Sequence, residues 1–256
     1  MGIQFFNIAA TKPKQVHIPV SYGQKRLWQP RIGDIFPDFQ ADTTHGPIRL
    51  FDWAEGAWSF LFSHPIAFSP VCTTEMIALA NAREEFRACN TKILGFSAST
   101  VADQLAWHQD IEKRFGYHVE FPAVEDVDGH FSEAFAMNHP KESSSLPIRK
   151  SFILDPQMRI RMIFEYPLYV GRSTEEVLRT IEALQAVDEY GVATPADWHP
   201  GEHYLYSERA AARFPKSING SQVQNFSPYL SFIEPGALPQ INRGEGYNMM
   251  DELCVG

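Results

Sequence analysis

The sequence predicts an α/β protein: a mixed central sheet flanked by helices on both faces. Three observations carry this. From Ile32 onward, short apolar runs alternate with segments of helical period. Residues 151–154 and 160–164 then flank Asp155-Pro156-Gln157-Met158, a turn in which the proline presets the backbone. Finally, Ser173-Thr174-Glu175-Glu176 is a capping box opening a long helix, with Gly191 as its stop. Strands alternating with helices, then a hairpin, then a closing helix, build such a layered sheet.

Taken in order, residues 39–41 and 48–53 read as strands joined by the polar turn Thr43-Thr44-His45-Gly46. The apolar run 58–63 is long enough for a buried strand and too short for a helix. Over 74–89, Met76, Leu79, Ala80, Arg83 and Phe86 recur at helical spacing, which predicts one helix. Residues 93–96 form another strand, and Val101, Leu105, His108 and Ile111 mark an amphipathic helix ending at Gly116. A strand at 121–124, a short helix at 131–137 and the hairpin follow. The closing helix carries Val177, Ile181, Leu184 and Val187 on one face. Residues 1–30 have no clean period and read as an N-terminal extension before a domain at 31–191. Residues 192–256 read as an extended C-terminal arm with a dimerisation role. Beyond Trp198 they are rich in Pro, Gly, Ser and Asn.

The 256 residues carry 22 Lys+Arg against 31 Asp+Glu, a formal charge of −9. An acidic balance argues against a nucleic-acid binder, which needs cations to neutralise phosphates. No apolar stretch approaches the roughly 18 residues of a membrane helix. Three cysteines and no secretory signal point to the reducing cytoplasm, where a thiol is inert, metal-bound or catalytic. Residues 1–33 hold five basic residues and no acid, leaving −14 on the rest. One Ser and two Arg there fit a transit peptide poorly.

Two motif matches fail on chemistry. His199-Pro200-Gly201-Glu202-His203 fits an inverted zinc-protease string, yet Pro-Gly between the histidines breaks the helix that must present them. Asn219-Gly220-Ser221 fits a glycosylation sequon but reads as a plain turn. The informative segment is Ser63 to Glu75. A strand ends, two prolines stiffen a loop, and Cys72 falls at the start of a helix. Unpaired N–H groups and the helix dipole favour an anion there, and a thiolate is such an anion. Ser69 offers a hydroxyl to the sulfur or to a bound oxygen. By position alone, Cys72 reads more readily as one more buried, inert thiol.

Pro65-x-x-x-Ser69-x-x-Cys72 resembles the peroxiredoxin active-site motif, and Phe62 to Glu75 is similar to the 1-Cys, peroxiredoxin-6-type branch. Leu105-Ala106-Trp107 with Asp110-Ile111, Arg149 to Pro156, Gly171-Arg172-Ser173 and Val192 to Trp198 extend the resemblance, in order, over about two thirds of the chain. It implies a thioredoxin-like fold and thiol-dependent reduction of hydrogen peroxide and organic hydroperoxides. Cys72 would be the attacking thiolate and Arg149 the cation stabilising the peroxide. Ser69 stands where the family usually has Thr, and Pro65 would shield the sulfur. His64, Glu75 and Arg172 are supporting residues, and Trp107 reads as packing or interface. No metal or organic cofactor is implied, because sulfur carries the redox change. The phospholipase activity of some relatives needs a serine that Ala54-Glu55-Gly56-Ala57-Trp58 lacks.

The expected partners are a hydroperoxide, an external thiol reductant, and further copies of the chain in a homodimer or larger ring. Cys89, 17 residues after Cys72 on the same predicted helix, would lie about 25 Å away at ~1.5 Å rise per residue, and reads as structural. Cys254, near the end of the arm, is a possible resolving thiol. A peroxide sensor and a chaperone-like assembly are the alternatives. A dithiol oxidoreductase is disfavoured, since there is no C-x-x-C.

Overall fold

The computed structural model describes residues 28–139, 141–143, 145–213 and 222–238. Cys254, the sequon at 219–221 and most of the N-terminal extension lie outside them. The central sheet has seven strands in the order β2-β1-β5-β4-β3-β6-β7. These are β1 (Gln40–Thr43), β2 (Gly46–Arg49), β3 (Trp58–His64), β4 (Thr91–Ser97), β5 (Ala123–Glu125), β6 (Arg149–Leu154) and β7 (Ile160–Tyr166). β3 pairs parallel with β4 and antiparallel with β6, so the sheet is mixed, as expected.

β3 shows why the sheet is central. All seven residues of Trp-Ser-Phe-Leu-Phe-Ser-His are buried. Trp58, Phe60 and Phe62 face one core with Met76, Leu79, Phe86, Trp107, Ile111, Val177 and Ile181. Those residues come from α2 (Pro70–Asn81), α3 (Arg83–Ala88), α4 (Val101–Phe115) and α6 (Thr174–Tyr190). Leu61 faces the other core with Phe36, Leu50, Phe96, Phe135 and Phe152. That side is covered by α1 (Leu50–Ala54), α5 (His130–Ala134) and the entering chain. Strand alternation alone delivers side chains to both layers.

Several local expectations hold. Ser173 Oγ accepts the Glu176 amide at 3.1 Å, and Gly116 and Gly191 end their helices at φ 76° and 67°. Others need correction. The run 48–53 is not one strand: β2 ends at Arg49 and α1 begins at Leu50. Asp38 accepts the Phe51 amide at 3.1 Å and holds Arg49 at 2.7 Å, capping that turn from eleven or more residues upstream. The expected helix 74–89 begins earlier and breaks at Ala82 into α2 and α3. Arg83, one of the residues at that spacing, is part-exposed and pairs with Glu84 at 3.2 Å. The single-helix separation of Cys72 from Cys89 therefore does not apply, and both thiols lie in one core cluster.

Within the N-terminal extension, Trp28 packs edge-on against Phe36 at 5.9 Å. The described part of the C-terminal arm has elements of its own: β8 (Tyr204–Leu205), α7 (Glu208–Arg213), β9 (Val223–Ser227) and β10 (Leu230–Ile233). The three strands form a second sheet, and Trp198, Tyr204, Ala210, Ile233 and Leu238 pack with Ala183 and Ala186 of α6. Strands of two to five residues are too short to leave a periodic signal.

Candidate active site

β3 delivers the chain into a loop at one end of the sheet. Pro65 is buried there, whereas Ile66 and Phe68 are exposed. The Ala67 amide donates to Ser99 Oγ at 2.9 Å, and Phe68 sits at φ 58°, a left-handed conformation costly for a residue with a side chain. Ser69 is extended and Pro70 opens α2, where its missing N–H costs nothing. Cys72 follows in the first turn, fully buried. Thr73 is locked twice to the Ser69 carbonyl, and its Oγ1 accepts from Trp107 Nε1 at 3.2 Å. Trp107 is thus buried packing that also ties α4 to the cysteine's helix. The Ser69 side chain makes no cap bond, and its buried Oγ has no partner among the described residues.

The structure brings Arg149, from the first position of β6, to the sulfur. Its Nη1 donates to Cys72 Sγ at 3.3 Å and to Glu75 Oε2 at 2.5 Å, while Nε donates to the Leu168 carbonyl at 2.8 Å. Arg172 completes the cluster. Its backbone N and Nε reach Glu75 Oε1, and Nη2 reaches Oε2, each at 2.9 Å. Its guanidinium also lies 4.8 Å from the Phe62 ring centroid. Glu75 thereby takes four charge-assisted hydrogen bonds, and all three side chains are at most 4% exposed. A carboxylate one helical turn beyond the cysteine fixes two arginines around it.

His64 lies between the rings of Phe62 and Trp107, at 5.8 and 5.5 Å between centroids. Neither ring nitrogen has a partner among the described residues, so it is near the site without a bond to the sulfur. Burial, and then the charges of Arg172, His108 and Arg149, hold its pKa well below the ordinary value. His64 is therefore a neutral imidazole at physiological pH. Sequence reasoning missed the Leu168 carbonyl behind Arg149, and no local pattern marks it, since a backbone acceptor can belong to any residue type. The 199–203 string forms a turn, with the His199 amide donating to Glu202 at 2.9 Å. Among the described residues no cluster suited to a metal ion occurs.

Comparisons with known proteins bear on this arrangement. Residues 32–163 match the AhpC/TSA family, and residues 183–214 match the C-terminal domain of 1-Cys peroxiredoxin. The chain is 43% identical over 176 residues to Peroxiredoxin 2 of Caldanaerobacter subterraneus subsp. tengcongensis, covering 69% of this chain and 79% of that one. With a peroxiredoxin of Methanosarcina mazei it shares 42% identity over 201 residues, 76% and 92% of the two chains. A solved yeast mitochondrial 1-Cys peroxiredoxin superposes with TM-score 0.72 at 37% identity, over 80% of this chain and all of that one. Peroxiredoxin 6 of Arenicola marina does so with TM-score 0.70 at 31% identity, over 80% and 98%. A thioredoxin-type fold, a buried cysteine at a helix N-terminus with an arginine on its sulfur, and these relatives converge: the chain belongs to the peroxiredoxin family, is of the 1-Cys type, and is a thiol-dependent peroxidase.

Proposed function

We propose that Cys72 is the peroxidatic residue. Its thiolate attacks one oxygen of a hydroperoxide in line with the O–O bond. The S–O bond forms as O–O breaks, leaving Cys72 as sulfenic acid and releasing the second oxygen as water or alcohol once it takes up a proton. The observation that carries this is Arg149 Nη1 at 3.3 Å from the sulfur, in a guanidinium already held by Glu75 and Leu168. A cation fixed beforehand need not reorganise as charge moves from sulfur to oxygen. Ser69, whose Oγ is buried and unpartnered, supplies a hydroxyl to the bound peroxide. Pro65 keeps bulk water from the sulfur, and Glu75 with Arg172 holds Arg149 in place. His64 contributes an uncharged aromatic wall.

The substrates in this reading are hydrogen peroxide and small organic hydroperoxides, and an external thiol returns the sulfenic acid to thiol. The yeast neighbour is described as resolved via glutathione/thioredoxin systems, which supports a reductant of that kind. The match to the 1-Cys C-terminal domain favours this cycle over resolution by Cys254. The cysteine usage of the sequence places the chain in the cytoplasm in this reading, and no helix among the described residues is long and apolar enough to cross a membrane. A homodimer is supported by β7, an edge strand that is only partly covered. The arm at 192–256 then contributes to the subunit contact.

Stopped-flow peroxide reduction by wild type, Cys72→Ser and Cys254→Ser, with non-reducing mass spectrometry of the products, tests the reading. Loss of reaction in Cys72→Ser alone, with no Cys72–Cys254 link, is the expected result. A wild type no faster than a free thiolate would overturn it.

A further inference from the structure

We propose that Ser63 is the positioning residue that sets Arg149 against Cys72. The inference rests on Arg149 acting on the peroxide as described above. Arg149 sits where β6 begins, and that is where its support from β3 gives out. The β3–β6 ladder runs from Ser59↔Leu154 to Phe62↔Ser151 and stops. Past it, β3 turns into the loop at Pro65, which has no N–H to offer. On its other side Arg149 is paired with Tyr166 of β7, so the β3 side of residues 148 and 150 needs other partners.

One side chain supplies them. Ser63 Oγ donates to the Ile148 carbonyl at 2.6 Å and accepts the Lys150 amide at 3.1 Å, with the Lys150 carbonyl also 3.2 Å away. The two residues flanking Arg149 are therefore pinned by one hydroxyl, and Ser63 is fully buried, so water does not compete. The same Lys150 carbonyl lies 3.5 Å from Arg172 Nη1, which joins this splint to the second arginine of the cluster. An alanine at position 63 would remove the hydroxyl bonds to Ile148 and Lys150 and loosen the start of β6. A misplacement of about 1 Å at a reacting group can cost on the order of 100-fold in rate.

The test is a double-mutant cycle on the rate of Cys72 oxidation by hydrogen peroxide, read by stopped-flow tryptophan fluorescence. Ser63→Ala is expected to slow oxidation about tenfold or more. In an Arg149→Gln background the same change should have no further effect, because the group it positions is gone. A role in general stability alone would instead slow both backgrounds by the same factor, and that result overturns the proposal. So does a folded Ser63→Ala with the wild-type rate. If Ser63→Ala does not fold, the same cycle is run with Ser63→Cys, which keeps the branching, is somewhat larger and weakens the hydrogen bonds; a loss of rate, again absent with Arg149→Gln, is expected. If Arg149→Gln alone leaves the rate unchanged, the reading of the active site fails, and the position of Ser63 is then irrelevant to the rate.

Discussion

Replacing Glu75 by glutamine keeps the shape of the side chain and removes its charge, with both arginines still in place. Glu75 takes four hydrogen bonds from Arg149 and Arg172, and the three side chains are 2 to 4% exposed. Glutamine can accept with one oxygen only, and its NH₂ would face a guanidinium N–H, donor against donor. Breaking a buried ion pair from one side costs about 3–5 kcal/mol, because the remaining charge is left uncompensated. Against a typical total stability of roughly 5–15 kcal/mol that is a large share. We expect Glu75→Gln to lower the free energy of urea unfolding by about 3–5 kcal/mol at pH 7 under reducing conditions, with an unchanged denaturant slope. The rate of Cys72 oxidation should fall by about 10- to 100-fold, since Arg149 and Arg172 must then compete for a single neutral amide oxygen, with Leu168 the remaining anchor of Arg149. A stability loss below about 1 kcal/mol, the value of an exposed pair, would refute the reasoning that this cluster is desolvated and held by its carboxylate.

Arg149→Lys should lower the peroxide rate by about 10²- to 10³-fold in stopped-flow assays, because one ammonium cannot serve the sulfur, Glu75 and the Leu168 carbonyl at once. An unchanged rate would remove the fork geometry from the mechanism. Excess peroxide should add two or three oxygens to the Cys72 peptide in intact-mass and peptide analysis, while the Cys89 peptide stays unmodified. His108 is buried, and burial, reinforced by His45 and His118, lowers its pKa from 6.5 to about 4. Its folded value lies below its unfolded one, so its contribution is complete above pH ~6.5 and is lost as pH falls from there towards 4. Urea unfolding should therefore show stability declining across that window. His108→Asn should flatten the slope by up to about 1.4 kcal/mol per pH unit, and an unaltered slope would show that His108 is not buried neutral.

Features set within a few residues of one another were legible without the fold. Ser173 caps α6 because its hydroxyl needs only the amide three residues on, and Gly116 and Gly191 end helices because a left-handed residue there is cheap for glycine alone. The buried run of β3 and the Asp155–Met158 turn are local in the same sense. Placing Cys72 at a helix start was likewise a matter of Pro70 and the strand before it. Which arginine meets that cysteine was not local, and the resemblance to a family pointed to it before any geometry did.

The amino-acid sequence by itself determined the layered α/β plan, the placement of Cys72 at a helix start and the caps and turns that frame it. Only the tertiary structure decided that helix 74–89 breaks at Ala82, that Asp38 starts α1, and that the stretch after Trp198 folds into a small sheet on α6. It alone joined Arg149 to Cys72, Glu75 to Arg172 and Ser63 to Ile148, contacts spanning 77, 97 and 85 residues of chain. The physical reason is the range of the interactions. Caps and turns answer to backbone groups within four residues, whereas a buried charge cluster exists only where separate strands and helices converge and exclude water.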